Sequence, residues 1–412
     1  MIKNKHGALP DSNHRSRPHM IFVWIMFSVS LLPIILVILQ SPALFGPLIN
    51  TFPSIKSFSD RYLSKVEPVG EMRVLSKFPE QWDGPWYAVD KNYGKFDKWF
   101  NDNMGFRDLF IRSKNELDYR LFGSSTRVYY GADNYIYGRT LIDNELPSIE
   151  REMDSPESRN SIINGMAKFS EDLKKQGVTT YFVTPMQKEY FIKDRLPFFA
   201  PRIPQDSNFM HFYSAMKDDS RLNIIDVEKL IKSVPDEYRT FYTQDFHWTN
   251  ISAYYVSRDI VNQIAEKEGS KLLWDHKLEV EYAPFLGSDS RFSSRLIANE
   301  YVMEPNVKQT WQPIHKINQF DASKTGLEFD TDSVLDKGLL PETCMFGNSF
   351  SDGMLVVGLT DFFSKFTKLD RSLPLSDIPK LIDGKCKYLI VQILDIQRMH
   401  WLYFKSQYRK EI

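Results

Sequence analysis

Three side chains in two separate loops have the types and spacing needed for nucleophilic acyl chemistry. Asp245 and His247 are two residues apart, so their side chains can project to the same side of an extended segment. Ser349 follows an apolar run and precedes a helical pattern. A serine hydroxyl becomes a good nucleophile only when a base takes its proton and a third group orients that base. Asp245, His247 and Ser349 can fill these three roles, since triads occur in several chain orders.

The loop that carries the serine has the features of a nucleophile turn. Gly347 lets the backbone bend between the strand and the helix, and N–H groups near Asn348 and Ser349 can face a developing oxyanion. The same residues also make an ordinary capped helix start. Likewise, Asp245 can be a turn residue, and His247 a hydrogen-bonded loop histidine. Both loops lie at predicted strand ends of one sheet, and together they favour the catalytic interpretation.

The elements around these loops alternate between strands and helices. Alternation of this kind predicts an α/β fold, in which a mostly parallel sheet is covered by helices on both faces and active residues collect at the carboxyl ends of the strands. Residues 270–340 interrupt it with polar sequence, which predicts an insertion of loops and short strands. The pattern predicts helices over 93–122, 158–176, 209–218 and 251–268, a hairpin over 128–137, and strands over 178–184, 223–227, 343–346 and 388–393.

The amino-terminal segment predicts a membrane anchor. Residues 21–39 carry no charge and are long enough to span a bilayer, and the residues before them hold four Lys and Arg against one Asp. A cleaved signal peptide is the alternative, although the apolar run is long for one. We therefore predict a cytoplasmic segment at 1–20, a transmembrane signal anchor at 21–39, a membrane-proximal linker at 40–92 and an exported domain at 93–412.

Composition narrows the class of protein. The 412 residues include 52 Lys and Arg against 53 Asp and Glu, which argues against a basic nucleic-acid surface as the main function. The presence of only two cysteines argues against a Cys-based metal site, and the remaining candidates, His211, His276, His315 and His400, lack metal-ligand spacing, so no metal is expected. Acyl transfer through a serine needs no organic cofactor either. Cys344 and Cys386 could form a disulfide or remain buried thiols.

The two loops resemble those of the alginate O-acetylation proteins of the AlgJ/AlgX type and their DHHW relatives, which carry an SGNH-hydrolase-like domain. Asp245-Phe246-His247-Trp248-Thr249 is similar to the segment that supplies Asp and His in that family, and Gly347-Asn348-Ser349-Phe350-Ser351 to the one that supplies the nucleophile. Weaker similarities are Asn103-Met104-Gly105-Phe106-Arg107, Tyr130-Gly131-Ala132-Asp133 and Gly287-Ser288-Asp289. The resemblance covers about residues 90–405.

The resemblance implies a three-layer SGNH-hydrolase-like sandwich and an exopolysaccharide O-acetyltransferase of the bacterial periplasm. Ser349 would be the nucleophile, with Ser351 a weaker candidate, His247 the base and Asp245 its support. Gly347 and Asn348 would shape the oxyanion site. A multi-pass acyltransferase of the inner membrane would supply the acetyl group. Of the family's two architectures, the membrane-anchored AlgJ-like one is expected rather than the one with a further carbohydrate-binding module.

Three further residues are candidates for glycan contacts. Trp248 could stack on a sugar ring, or it could pack its loop onto the core. Lys188 follows a predicted strand and could contact an acidic sugar, and Arg398 lies near the position of a family arginine.

The same triad would also suit an acetyl esterase, since transfer and hydrolysis differ only in what reaches the acyl-enzyme. A non-catalytic scaffold that binds the polysaccharide or a partner is the third alternative. The sequence does not identify the polymer.

Overall fold

The computed structural model describes residues 20–28, 31, 69, 74–77, 89–104, 107–204, 206–272, 274–298, 300–333 and 338–409. Within these ranges, residues 20–28 are helical, and no helix is long and apolar enough to cross a membrane. Most of the predicted span at 21–39 and of the predicted linker at 40–92 lies outside the described residues, as does the predicted cytoplasmic segment apart from Met20.

The chain divides into two compact units. The smaller unit ends at Leu117 and also includes Ser294–Ala298. It contains α1 (Val89–Asn103) and most of α2 (Arg107–Phe122), so the single helix predicted over 93–122 is wrong. Gly105, a poor helix former, lies in the sequence between them. Within this unit, the Asn115 side chain donates a hydrogen bond to the carbonyl of Ser294 at 3.1 Å.

The larger unit comprises Asp118–Ser293 and the residues from Asn299 onward. It opens with the predicted hairpin, formed by β1 (Val128–Tyr130) and β2 (Ile136–Gly138). Asp133 and Asn134 in its turn have φ angles of 53° and 63°. Asn and Asp tolerate this left-handed conformation better than most side chains.

A seven-stranded sheet forms the centre of this unit, in the order β4-β3-β11-β9-β10-β8-β7. The first five strands are mutually parallel, β8 pairs antiparallel with β10, and β7 pairs antiparallel with β8. The insertion at 270–340 supplies β7 and β8, which extend the sheet, and a separate pair of strands, β5 and β6. The strands are β3 (Thr179–Val183), β4 (Asn223–Ile225), β5 (Val280–Leu286), β6 (Tyr301–Val307), β7 (His315–Gln319), β8 (Leu327–Ser333), β9 (Thr343–Phe346), β10 (Phe366–Leu369) and β11 (Tyr388–Gln392).

Helices cover both faces of the sheet, which confirms the α/β sandwich. Alternate residues of β11 point to opposite faces, so Leu389 joins one apolar core and Ile390 the other. The first core receives side chains from α4, α5 and α12, and the second from α7 and α10. The helices are α3 (Leu146–Glu152), α4 (Pro156–Lys175), α5 (Asn208–Asp218), α6 (Val227–Lys232), α7 (Asn250–Glu268), α8 (Ser288–Ser293), α9 (Ala322–Thr325), α10 (Phe350–Val356), α11 (Ile378–Leu381) and α12 (Arg398–Arg409).

The two cysteines are joined. Cys344 in β9 and Cys386 just before β11 form a disulfide with their Cα atoms 5.8 Å apart. Of the two possibilities that the sequence left open, the structure thus has the disulfide.

Candidate active site

The serine loop leaves the carboxyl end of a central strand. β9 ends at Phe346, and Ser349 is the N-cap residue of α10. Because β9 lies between β11 and β10 in parallel, Ser349 stands at the rim where the carboxyl ends of these strands meet.

The Asp-His loop lies between α6 and α7, so the prediction that it lies at a strand end of the sheet is wrong. A β-bridge between Phe241 and Trp248 folds it back on itself, and the Tyr242 N–H donates to the His247 carbonyl at 3.2 Å. Thr249 then caps α7, since its side chain accepts a backbone N–H of the first turn. This fold fixes the position of the backbone on both sides of the His247 side chain.

The structure brings the three predicted residues into hydrogen-bond contact. His247 Nδ1 lies 2.5 Å from Asp245 Oδ1, and His247 Nε2 lies 2.6 Å from Ser349 Oγ. With the proton on Nδ1 donated to Asp245, Nε2 is the acceptor for the serine hydroxyl. The His247 side chain is 22 % exposed, so solvent reaches the site.

Asp245 is buried but strongly hydrogen-bonded. Its Oδ2 accepts from the N–H of Ser288 at 2.7 Å and from the Ser288 hydroxyl at 2.9 Å. Burial alone would raise the pKa of Asp245, but these bonds and those from His247 outweigh it and lower the pKa to about 2. Ser288 can approach because Gly287 precedes it: a Cβ there would lie 1.8 Å from the carbonyl oxygen of Gln244.

Asn348 does not fill the predicted oxyanion role through its own N–H. That N–H donates to Gln392 Oε1 at 2.8 Å, which contradicts the expectation that it faces the oxyanion. The Asn348 side chain accepts from the Phe350 N–H at 3.0 Å and so caps α10. Across the described ranges, the Ser349 N–H has no acceptor, which leaves it as the available donor beside the Ser349 hydroxyl.

Gly347 gives the turn its shape. A Cβ at this position would lie 2.7 Å from Gln392 Oε1, so glycine is what lets Gln392 reach the loop. The Gly347 carbonyl accepts from the buried Lys368 ammonium at 2.7 Å. Burial lowers the pKa of Lys368 to about 8. Gly347 therefore supports the position of Ser349.

Trp248 is not placed for sugar stacking. It is 2 % exposed, and its indole N–H donates to the carbonyl of Phe350 at 3.0 Å. Trp248 instead packs its loop onto the core, which was the alternative prediction. Trp248 joins the histidine loop to the helix that follows the serine.

Lys188 is also placed away from a sugar-binding role. Lys188 is fully buried, and its ammonium donates to the Asp245 carbonyl at 2.8 Å and lies 3.5 Å from Asp289 Oδ2. The predicted contact of Lys188 with an acidic sugar is therefore wrong. Arg398 is half exposed at the start of α12 and pairs with Glu152 at 3.2 Å.

Sequence reasoning did not assign roles to three residues that hold the site together: Ser288, Lys368 and Gln392. Two of them had a visible signal, since Lys368 and Gln392 are long polar side chains in strands whose residues are all buried. Ser288 is one of the residues in the weak family similarity at 287–289.

Comparison with known proteins finds one family model. The model described as the SGNH hydrolase-like domain of the acetyltransferase AlgX matches residues 148–365, more than half of the chain. The match includes Asp245, His247 and Ser349. Comparison with curated proteins finds no match.

Several solved structures are similar at low identity. The O-acetyltransferase domain of Pseudomonas putida AlgJ is 14 % identical, with 68 % of this chain and 99 % of that chain covered and a TM-score of 0.44. Bacillus cereus PatB1 with a sulfonyl adduct is also 14 % identical, with 65 % and 94 % covered and a TM-score of 0.46. Pseudomonas aeruginosa AlgX is 14 % identical, with 68 % and 67 % covered and a TM-score of 0.40.

Proposed function

The chain belongs to the family of SGNH hydrolase-like domains of the acetyltransferase AlgX, and from that premise we propose that it is a polysaccharide O-acetyltransferase with a serine nucleophile. The observation that carries the proposal is the unbroken chain of hydrogen bonds from Asp245 through His247 to Ser349. A base within 2.6 Å of the hydroxyl of a partly buried serine, and itself oriented by a carboxylate, is the arrangement that acyl transfer requires.

The first half of the reaction acetylates the enzyme. His247 Nε2 takes the proton of Ser349 Oγ as that oxygen attacks the carbonyl carbon of an acetyl donor. The donor then leaves with the proton that His247 carried, and the acetyl group remains as an ester on Ser349. Asp245, ionised because its pKa is about 2, stabilises the histidine while it is positively charged.

The second half passes the acetyl group to the glycan. A sugar hydroxyl loses its proton to His247 and attacks the acetyl carbon, and Ser349 leaves as an alcohol after recovering the proton. In both halves the N–H of Ser349 is our candidate donor to the oxyanion. Since Asn348 already donates to Gln392, its N–H would have to be released before it could help.

We further propose that the protein acts outside the cytoplasm, anchored to the bacterial inner membrane by residues 21–39. The uncharged run in the sequence supports an anchor. The Cys344–Cys386 disulfide supports an oxidising compartment such as the periplasm. The acetyl donor would then come from a multi-pass acyltransferase in the same membrane.

The test uses the full chain in detergent with p-nitrophenyl acetate as the donor. We expect a mass increase of one acetyl group on Ser349, and its loss in Ser349→Ala and His247→Ala. Ser351→Ala is the matched control, because Ser351 is buried and its hydroxyl donates to the Asn348 carbonyl. It should still be acetylated.

The outcome also separates the alternative functions. If Ser349 is acetylated and a glycan then receives the group, transfer is supported, whereas release to water alone would favour an esterase. If the wild type and both variants behave alike, the nucleophile is misassigned and a binding scaffold becomes the better explanation.

A further inference from the structure

Two phenylalanines stand at the tip of a turn in the larger unit. The loop between β3 and β4 contains Pro197-Phe198-Phe199-Ala200, and the Ala200 N–H donates to the Pro197 carbonyl at 3.0 Å. This bond closes a β-turn in which Phe198 and Phe199 are the two central residues. Phe198 is 91 % exposed and Phe199 is 45 % exposed. Their rings lie edge to face with the centres 5.4 Å apart, so the turn presents two aromatic rings to solvent.

The residues next to the phenylalanines are fixed in the body of the protein. Leu196 and Ala200 are both buried, and they belong to an apolar cluster that includes Tyr137 of the hairpin. The chain is therefore held on both sides of the tip. The exposure of Phe198 and Phe199 follows from the packing of their neighbours.

Folding gives no reason for aromatic residues at this position. The central positions of β-turns favour Gly, Asn, Asp, Ser and Pro. A phenylalanine that stays almost fully exposed buries little apolar surface and so contributes little to stability. Exposed apolar groups that cluster on a protein surface mark contact sites for other proteins or for membranes. We therefore looked for the partner that suits this tip.

The size of the tip favours a membrane over a protein. Two phenylalanines bury at most about 500 Å² together. Each side of a stable protein interface buries about 800 Å². A convex tip also needs a matching groove on a protein partner, whereas the interfacial layer of a bilayer adapts to inserted side chains.

Cations stand on both sides of the tip. Lys193 precedes the turn and Arg202 follows it, and both are exposed. Neither pairs with an acid among the residues that the structure describes, whereas Arg195 pairs with two acids. The Arg202 guanidinium donates to the Leu196 carbonyl at 3.3 Å, which holds it beside the turn. Aromatic side chains flanked by Lys and Arg suit the surface of a bilayer with anionic lipids.

We propose that residues 197–200 form a membrane-docking tip. Phe198 and Phe199 insert into the interfacial layer of the bilayer, and Lys193 and Arg202 contact anionic lipid headgroups. The inference rests on the proposed anchoring by residues 21–39 and adds a second contact with the same membrane. Two aromatic side chains bind a bilayer weakly by themselves, but an anchor keeps their effective concentration at the surface high.

The test places one fluorescent label at the tip of the full chain. Both native cysteines are in the Cys344–Cys386 disulfide, so Phe198→Cys supplies a single thiol for a nitrobenzoxadiazole label. The chain is reconstituted in vesicles of phosphatidylcholine and phosphatidylglycerol. We expect lipid spin-labelled near the headgroup to quench the label at least about twofold, because interfacial side chains insert ~5–10 Å. Vesicles without phosphatidylglycerol should give weaker quenching, because Lys193 and Arg202 lose their anionic partners.

Ile317→Cys is the matched control. Ile317 is an exposed apolar residue of β7, which lies at the opposite edge of the seven-stranded sheet from β4. The same label at this position should not be quenched by the lipid. Acetylation of Ser349 by p-nitrophenyl acetate in detergent should equal that of the wild type in both variants, which checks that both are folded.

Several outcomes would overturn the inference, and they are distinguishable from failure of the proposed function. No lipid quenching at position 198, in a chain that floats with the vesicles, would overturn the docking tip and leave the anchor standing. Protection of that label from aqueous iodide without lipid quenching would overturn it in favour of a protein contact. Equal quenching at positions 198 and 317 would show that the label enters the bilayer by itself.

The remaining outcomes concern the cations, the anchor and the reaction. Equal quenching with and without phosphatidylglycerol would overturn the role of Lys193 and Arg202. A chain that does not float with the vesicles would overturn the anchor and the docking tip together. Failure to acetylate Ser349 would overturn the transfer reaction, while the two labels would still decide the tip.

Discussion

Replacing Trp248 by phenylalanine tests how the loops that carry His247 and Ser349 are held together. The indole N–H of Trp248 donates to the Phe350 carbonyl at 3.0 Å, and the two rings pack edge to face with their centres 5.5 Å apart. Phenylalanine keeps an aromatic ring in the core but removes the hydrogen bond. The change therefore loosens the link between the His247 loop and the Ser349 helix.

The expected loss of stability follows from two contributions. Losing a buried hydrogen bond costs about 1 kcal/mol. Shrinking a fully packed side chain by part of a ring costs about 1–2 kcal/mol more, less than the ~3–5 kcal/mol of a complete truncation to alanine. We expect the free energy of unfolding to fall by about 2–3 kcal/mol. Since small displacements of reacting groups slow catalysis strongly, acetylation of Ser349 should slow roughly 10- to 100-fold.

Trp401→Phe is the matched control for this change. Trp401 is equally buried, and its indole N–H donates to the backbone carbonyl of Asp395 at 2.8 Å, but it packs in the other apolar core. Its stability loss should be similar, measured by urea denaturation, while Ser349 acetylation by p-nitrophenyl acetate should change less than about threefold.

The opposite pattern would refute the reasoning. If Trp248 contacted sugar instead, the phenylalanine variant would keep the stability of the wild type and its rate of Ser349 acetylation. Only its KM for the glycan would rise.

Three other changes have defined outcomes. Gly287→Ala places a Cβ 1.8 Å from the Gln244 carbonyl oxygen. It should therefore lower the free energy of unfolding, measured by urea denaturation, by about 3 kcal/mol or more. An unchanged free energy of unfolding would contradict the close approach. Asp245→Asn removes a carboxyl whose pKa falls from 3.8 to about 2 on folding. This lowering of the pKa stabilises the fold by about 2 kcal/mol above about pH 4, and the stabilisation is lost as the pH falls through about 2. The stability gap to the wild type should therefore narrow on acidification, and a constant gap would rule out this linkage. Replacing Cys344 and Cys386 together by alanine opens a loop of 42 residues and should cost about 4 kcal/mol in the same assay, whereas an unchanged midpoint would mean that the bond contributes nothing.

Much of the larger unit was predictable because local sequence determines local structure. Ser155 and Gly177 mark the two ends of α4, and the apolar period between them is helical. The hydrophobic runs of β3, β9 and β11 are typical of strands buried on both faces, which is why a parallel sheet could be predicted. The insertion at 270–340 was harder to predict from the sequence. Its short polar strands β7 and β8 form because they pair at the edge of the sheet, and that pairing is not visible in the local sequence.

The sequence by itself also determined the three candidate catalytic residues, since Asp245, His247 and Ser349 are the types that acyl transfer needs. It placed Ser349 correctly after a strand, but not the Asp245-His247 loop, which lies between two helices. It could not decide what their neighbours do. Trp248 beside the histidine and Lys188 at the rim looked available to a substrate, and both are buried.

The tertiary structure decided those roles because they depend on contacts between residues far apart in the chain. The Asn348 N–H donates to Gln392, which lies 44 residues away in the sequence. Asp245 accepts from Ser288, which lies 43 residues away. Side-chain exposure and hydrogen-bond partners are properties of the packed core, so an isolated segment of sequence does not contain them.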